Sequence, residues 1–258
     1  MTKGTDKKKI DKMKSLNNLV YGPIGYCIYC GAKNDLSDEH ILPFGLSGTA
    51  KLLKSTCNKC AKITGMIEQD VLRGPLWAVR ILLNLKSRTK HKEAPEKYPL
   101  SIIRKNKKEI VYLPLKEYPV LLHFPIFSPP GFLQPENYSG GIHLEGVITI
   151  SFGPSIDEVM RKLKTSKIEI EQSHKPISFA RMIAKIAYAM AAAENQLSLL
   201  KEVTVRSAIL GETDDIGRWV GTLTRPLQAH KGTLHRVIAQ FIPPFSTSSS
   251  FSNKSSFR

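Results

Sequence analysis

Two Cys-x-x-Cys pairs near the amino terminus constrain this chain more than any other feature of its sequence. Cys27 and Cys30 form the first pair, and Cys57 and Cys60 form the second. The 258-residue sequence contains only these four cysteines, so none is left over. Four thiolates with this spacing suit a tetrahedral zinc site of the closed, structural kind. We therefore predict structural Zn²⁺ with no open position for a substrate.

An iron–sulfur cluster and a pair of redox dithiols are the alternatives for these cysteines. Neither has its usual spacing here, and no βαβ pattern surrounds the pairs as in a redox dithiol protein. Gly31, directly after the first pair, supplies the backbone freedom that a tight cysteine-bearing turn needs.

The chain is strongly basic, with 38 Lys and Arg residues against 22 Asp and Glu residues and a formal net charge of +16. Such a surplus favours a polyanionic partner, nucleic acid ahead of an anionic membrane surface. Plain solubility combined with a basic tail is the alternative. The densest basic stretch in the body of the chain is residues 86–108, interpreted as a phosphate-contacting surface or as a solvated loop.

No segment has the character of a membrane span. The most apolar long segment still contains Arg181, Lys185 and Glu194. Residues 1–16 carry lysines but lack the apolar core and cleavage site of a secretory signal. We expect a cytoplasmic protein with no membrane partner, in a compartment where structural disulfides are rare.

Hydrophobic periodicity predicts an α+β fold. Residues 50–57 are predicted to form a short strand that leads into a helix from Asn58, which Gly74 and Pro75 end. A second helix follows, and residues 109–171 are predicted to be rich in strands. The helix that begins near Ser178 is predicted to be a buried core helix with no site. Its predicted apolar face consists of Phe179, Met182, Ile183, Ile186, Met190 and Leu197.

Composition divides the chain into four parts. We expect a flexible basic arm over residues 1–21, a cysteine module over residues 22–75, an α+β domain of unassigned role over residues 76–245, and a disordered Ser-rich tail over residues 246–258. The arm either contacts phosphates or is a solvated tail.

The segment between the two cysteine pairs places an acidic residue directly before a histidine. It includes the run Asp38-Glu39-His40-Ile41-Leu42-Pro43, and the second pair opens a helix. With this run between the two cysteine pairs, residues 27–72 resemble the HNH (ββα-metal) endonuclease family, in its four-cysteine zinc-knuckle branch. The resemblance implies a small zinc-stapled ββα-metal module followed by a mixed α+β domain. It also implies a metal-dependent phosphodiester hydrolase acting on DNA, with RNA left open.

The same resemblance assigns roles to individual residues. His40 would be the general base, and Glu39 would bind one catalytic Mg²⁺ or Mn²⁺. A histidine suits a base at neutral pH because its ordinary pKa lies near ~6.5. The zinc would take no part in the reaction and would hold the strands and helix in place. The alternative is that Glu39 and His40 are ordinary surface residues with no catalytic role.

The sequence departs from the family pattern at Ala61, where an Asn usually supplies the metal ligand from the helix. Glu68, two turns along the same helical face, is the first candidate to replace it. Thr64, acting through water, and Asn58, inside the second cysteine pair, are weaker candidates. Glu68 as an ordinary exposed helical glutamate is the alternative.

Two other function classes remain open from the sequence. One is a zinc-stapled nucleic-acid-binding module that has lost catalysis. The other is an interaction protein whose positive charge serves anionic partners in general.

Overall fold

The structure is a computed structural model that describes residues 18–85, 96–170, 175–195, 197 and 205–222. These residues form a mixed α+β fold with three small sheets. They lie in one compact unit.

The first sheet belongs to the cysteine module and has the strand order β1-β3-β2. Its strands are β1 (Val20–Tyr21), β2 (Leu36–His40) and β3 (Lys51–Cys57). β1 runs parallel to β3, and β2 runs antiparallel to it. Helix α1 (Asn58–Arg73) follows β3 without a break and ends at Gly74, as the sequence predicted.

The rest of the fold comprises two antiparallel sheets and four further α-helices among the described residues. The sheets have the orders β5-β4-β8 and β6-β7. In chain order the elements are α2 (Trp77–Leu82), β4 (Tyr98–Arg104), β5 (Lys107–Leu113), β6 (Val120–Phe127), β7 (Leu144–Phe152), α3 (Ile156–Leu163), β8 (Lys167–Glu169), α4 (Pro176–Ala193) and α5 (Val205–Leu210). The predicted second helix and the strand-rich region are confirmed.

The basic stretch of residues 86–108 is largely strand where the structure describes it. Residues 86–95 lie outside the described residues, whereas β4 and the start of β5 occupy most of the remainder. The prediction of a solvated loop is therefore wrong for its second half, because the alternation of Leu100 and Ile102 with outward-facing residues suits a strand with one buried face.

The predicted apolar face of α4 is also partly wrong. Ile183 is exposed, while Lys185 is buried with 1% of its surface accessible. Leu197 lies beyond the end of the helix. The buried face consists largely of alanines, which allow the helix to pack closely against its neighbours. Its buried members are Phe179, Ala180, Met182, Ala184, Lys185, Tyr188, Ala189, Ala192 and Ala193.

Helix α4 joins the cysteine module to the rest of the core. It packs against α1, and the Tyr188 hydroxyl donates a hydrogen bond of 2.7 Å to the carbonyl of Ile28. The rings of Tyr29 and Tyr188 lie 5.8 Å apart. The buried residues of the module therefore belong to the same hydrophobic core as those of the later helices.

Both ends of the chain lie wholly or partly outside the described residues. The predicted arm lies outside the described residues up to residue 17, and its last two residues form β1. The predicted Ser-rich tail, residues 246–258, lies outside them entirely. Among the described helices, none combines the length and apolar character that crossing a membrane requires.

Candidate functional site

The four cysteines form a compact cluster where the strand ends meet the first turn of α1. Their sulfur atoms all lie within 4.8 Å of one another, and the sulfurs of Cys30 and Cys57 are 3.6 Å apart. A tetrahedral zinc ion with bonds of about 2.3 Å separates its sulfurs by about 3.8 Å. Gly31 adopts a φ of +79°, as the predicted cysteine-bearing turn requires. The donor set and its spacing therefore fit a metal such as zinc.

The thiols are electrostatically unequal. Burial acts to raise the pKa of Cys27, but hydrogen bonds from the backbone N–H groups of Cys57, Cys30 and Tyr29 outweigh it and lower that pKa to about 7. Burial raises the pKa of Cys60 far above its usual range, and the neighbouring thiols add to this effect. Only deprotonated thiols bind a metal ion, so a cation at this point would favour the thiolate form of the cysteines.

A bulge between β2 and β3 positions Glu39. Asp38 alone on β2 faces residues 53–55 of β3, between the paired residues Ser37 with Thr56 and Glu39 with Leu52. The bulge is held by the Lys54 N–H, which donates to the Asp38 carboxylate at 3.2 Å, while Lys54 itself has a φ of +48°. Glu39 follows the bulge and turns into the interior, where only 5% of it is exposed.

Glu39 and Glu68 meet inside the protein, on either side of a lysine from α4. The Lys185 ammonium lies 2.5 Å from Oε1 of Glu39 and 2.8 Å from Oε1 of Glu68. It also donates a hydrogen bond of 2.5 Å to the backbone carbonyl of His40. The three side chains form an acid–base–acid cluster in which Glu39 and Lys185 are buried and Glu68 is partly exposed, and we call it the glutamate cluster.

Burial and charge within the glutamate cluster shift the pKa values of Lys185 and Glu39. Burial alone would lower the pKa of Lys185, but the charges and hydrogen bonds of Glu39 and Glu68 outweigh it and raise that pKa. Lys185 is therefore an ammonium at neutral pH. Burial raises the pKa of Glu39, and the Lys185 charge offsets this only in part. Burial, aided by the charges of both glutamates, also raises the pKa of the adjoining Tyr29 hydroxyl.

His40 presents its ring on a different side of the strand from the Glu39 carboxylate. Successive side chains of a strand point to opposite faces, and the His40 ring lines an open groove of about 490 Å³ with Asn18, Phe44, Thr49 and Lys51. His40 is paired across the strands with Lys51, which brings their side chains close together on one face. Its ring meets that of Phe44 edge-on at 5.8 Å.

The loop after His40 is held close to the strand end. It contains a short 3₁₀ turn, Phe44–Leu46, and Arg80 of α2 donates from Nε to the Gly45 carbonyl at 2.8 Å. A side chain at Gly48 would clash with Leu42, since its Cβ would lie 2.2 Å from the Leu42 carbonyl oxygen. These contacts fix the wall of the groove that faces His40.

The three candidates to replace the metal ligand missing at Ala61 lie in different surroundings. Thr64 is buried, and its hydroxyl donates back to the Ala61 carbonyl at 3.4 Å. Asn58 is exposed at the first position of α1. Only Glu68 lies with Glu39, yet both carboxylates are held by Lys185. This geometry does not support the predicted divalent ion between Glu39 and Glu68, because an ammonium already lies between their oxygens.

Lys185 and Lys51 are site residues that the sequence analysis did not single out. Lys185 lies 145 residues further along the chain than His40, so no local sequence pattern connects the two. A charge on the alanine-rich face of α4 is the one signal that pointed to it. Lys51 was recognisable only through the pairing of β2 with β3.

Other cavities are lined mainly by residues outside the cysteine module. One of about 200 Å³ is polar and is lined by Tyr138, His143 and Glu145 among others. Another of about 250 Å³ is mostly apolar and is lined in part by Val147 and Phe179. A third of about 620 Å³ is lined in part by Arg104 and Lys164. The groove next to Lys51 is the candidate site because it is the one lined by His40.

No protein-family model matches this chain, and no curated protein or solved structure matches it either. The resemblance to the HNH endonucleases therefore rests on the motif residues of the cysteine module alone.

Proposed function

We propose that this chain is an endonuclease of the HNH (ββα-metal) type that hydrolyses phosphodiester bonds in DNA. One observation carries the proposal. His40 stands at the end of β2 with its ring on an open groove, in a strand–strand–helix unit whose strand and helix ends converge on four clustered cysteines. The order β2, β3, α1 is the order that the resemblance implies.

The groove has the charge that a phosphate backbone requires. Lys51 lies beside His40 on the neighbouring strand, and the chain as a whole carries a formal charge of +16. A lysine placed there attracts the phosphate and offsets the negative charge that grows on it during the reaction. Asn18 and Thr49 add polar atoms at the same edge of the groove.

The proposed reaction uses His40 as the general base. The imidazole accepts a proton from a water molecule as the water oxygen bonds to phosphorus. The bond between phosphorus and the 3′ oxygen breaks, and that oxygen takes a proton from solvent. The products are a 3′-hydroxyl and a 5′-phosphate, and an imidazole is the side chain best suited to take up a proton at neutral pH.

Zinc at the cysteines supplies rigidity in this proposal and no chemistry. Bound to Cys27 and Cys30 on one side and to Cys57 and Cys60 on the other, it ties the turn before β2 to the start of α1. That bond network fixes the hairpin that presents His40. No step is assigned to a divalent ion at Glu39 and Glu68, since Lys185 holds both carboxylates.

A nucleic-acid-binding module without catalysis is the second candidate, and one observation favours it. Glu39, to which the family resemblance assigns a catalytic cation, and Glu68, the candidate replacement for the missing helix ligand, are both paired with Lys185. A domain in which Lys185 takes the place of the catalytic cation would lose the cleavage reaction but keep its zinc, its fold and its basic surface. Binding to DNA would then be salt-dependent and unaccompanied by cleavage.

Plasmid nicking by the zinc-loaded full-length chain separates the two candidates. We expect cleavage that falls by about 10²–10⁴-fold in His40→Ala, the usual contribution of a general base. His143→Ala is the matched control, since His143 is exposed on a loop outside the groove. Zinc content and melting temperature should be the same in all three proteins.

Two results would decide against the endonuclease. Cleavage that survives in His40→Ala would remove the proposed base. Wild-type protein that binds DNA with a steep salt dependence, yet leaves it intact in Mg²⁺, Mn²⁺, Ni²⁺ and chelator alike, would establish the binding module instead.

A further inference from the structure

The Lys185 ammonium is fully satisfied within the glutamate cluster. An ammonium has three N–H donors, and three oxygen atoms lie within hydrogen-bond distance of it. They are Oε1 of Glu39, Oε1 of Glu68 and the carbonyl oxygen of His40. Lys185 itself is only 1% exposed, so its N–H donors are shielded from water.

These three oxygens are also the donor set that a hard divalent cation would use. Mg²⁺ and Mn²⁺ favour carboxylate and carbonyl oxygens. An ion at this point would compete with the ammonium for the same oxygen atoms and would be repelled by its charge. Displacing the ammonium would leave a buried charge without acceptors, which is among the most costly changes in a protein interior.

We propose that Lys185 is the resident cation of the glutamate cluster and takes the position of a divalent ion between Glu39 and Glu68. The wild-type protein then binds no divalent ion there. Removing the ammonium while keeping the oxygens converts the cluster into a divalent cation site. This inference rests on the contacts of Lys185 and holds whether or not the chain cleaves DNA.

Binding of Mn²⁺ to the zinc-loaded full-length protein tests the proposal. Electron paramagnetic resonance of free Mn²⁺ measures the bound fraction during a titration. We expect wild type, Glu68→Gln and the control Glu109→Gln to bind Mn²⁺ equally, since Glu109 pairs with Arg104 at the surface. Mn²⁺ binding by wild type that weakens by about tenfold or more in Glu68→Gln, but not in Glu109→Gln, would overturn the proposal.

The variant Lys185→Met supplies the converse test, because methionine is a flexible, uncharged residue of similar length. We expect this variant to gain one Mn²⁺ site that the double variant Lys185→Met/Glu68→Gln lacks. A rise in melting temperature with Mn²⁺ in Lys185→Met, absent in wild type, supports the same conclusion. A folded Lys185→Met that binds no more Mn²⁺ than wild type would contradict it. If the variant does not fold, the comparison of wild type with Glu68→Gln decides alone.

Discussion

The cysteine cluster and the glutamate cluster lie at opposite ends of the β2–β3 hairpin and solve the same electrostatic problem in different ways. Both gather groups that become negative when ionised. The cysteine cluster contains no cation of its own, and its sulfurs are spaced for an external metal. The glutamate cluster contains Lys185, which satisfies Glu39 and Glu68 from within the chain.

A donor set alone therefore does not define a metal site. Glu39 is the carboxylate to which the family resemblance assigns a catalytic ion, and Glu68 brings the same ligand type close to it. What separates the two from the cysteines is a third element, α4, which delivers a cation to the same point. The cysteines suit an external metal such as zinc, whereas the two carboxylates are paired within the chain.

Loss of zinc should have the largest effect. Structural zinc contributes about 10–16 kcal/mol of apparent binding free energy in small zinc domains, comparable to or larger than the whole net stability of an ordinary domain, about 5–15 kcal/mol. We expect Cys30→Ser and Cys60→Ser to lose zinc and to unfold at much lower temperature, measured by metal analysis and thermal unfolding.

The two cysteine variants make the test specific. Cys60 is buried and Cys30 is exposed, so packing alone predicts that only Cys60→Ser is harmful. Equal damage from both variants is what shared metal binding predicts. A Cys30→Ser protein with unchanged zinc content and melting temperature would contradict the zinc site.

Removing Lys185 should have the next largest effect. Lys185→Met leaves the buried Glu39 carboxylate and the partly exposed Glu68 carboxylate without their cation, and breaking a buried ion pair such as that with Glu39 costs about 3–5 kcal/mol. Lys162 is the matched control, because it pairs with Glu117 at 2.8 Å on the surface, where such pairs contribute about 0–1 kcal/mol. Denaturant unfolding measures the free energy of unfolding of Lys185→Met and of the control Lys162→Met, in a buffer without added divalent ions in which both proteins keep their zinc. Similar losses of unfolding free energy in the two variants would remove the distinction between buried and surface pairs.

Replacing Lys51 should have the smallest effect and should appear in binding instead of stability. Lys51 lines the groove beside His40, so Lys51→Ala should weaken DNA binding uniformly across sequences and reduce the salt slope by about 1. Lys62→Ala is the matched control, since Lys62 is exposed on α1 away from the groove. Fluorescence anisotropy over a series of salt concentrations measures the slope. An unchanged slope in Lys51→Ala would place the phosphate path elsewhere.

The sequence was sufficient for the parts of the site that depend on local patterns. The cysteine spacing predicted the cluster. The hydrophobic pattern of residues 50–74 predicted a strand followed by a helix, which are β3 and α1 in the structure. Helical periodicity also placed Glu68 on the face of α1 that meets Glu39. These features require only a few consecutive residues and the geometry of one element.

The sequence was insufficient where the outcome depends on distant residues. The partner of Glu39 and Glu68 comes from α4, which periodicity described only as a core helix. Giving large aliphatic residues more weight than alanines predicts a face that includes Ile183, whereas the structure buries the alanines and Lys185 and leaves Ile183 exposed. A buried lysine becomes favourable only when acceptors converge on it, and that convergence is a property of the fold.

A crystal structure of the zinc-loaded protein soaked in Mn²⁺, with anomalous diffraction measured at the zinc and manganese absorption edges, tests the contrast between the two clusters most directly. We expect a zinc peak among the four cysteines and no manganese peak between Glu39 and Glu68, with the Lys185 ammonium still in contact with both carboxylates. A manganese peak between those carboxylates, with Lys185 displaced, would contradict this expectation.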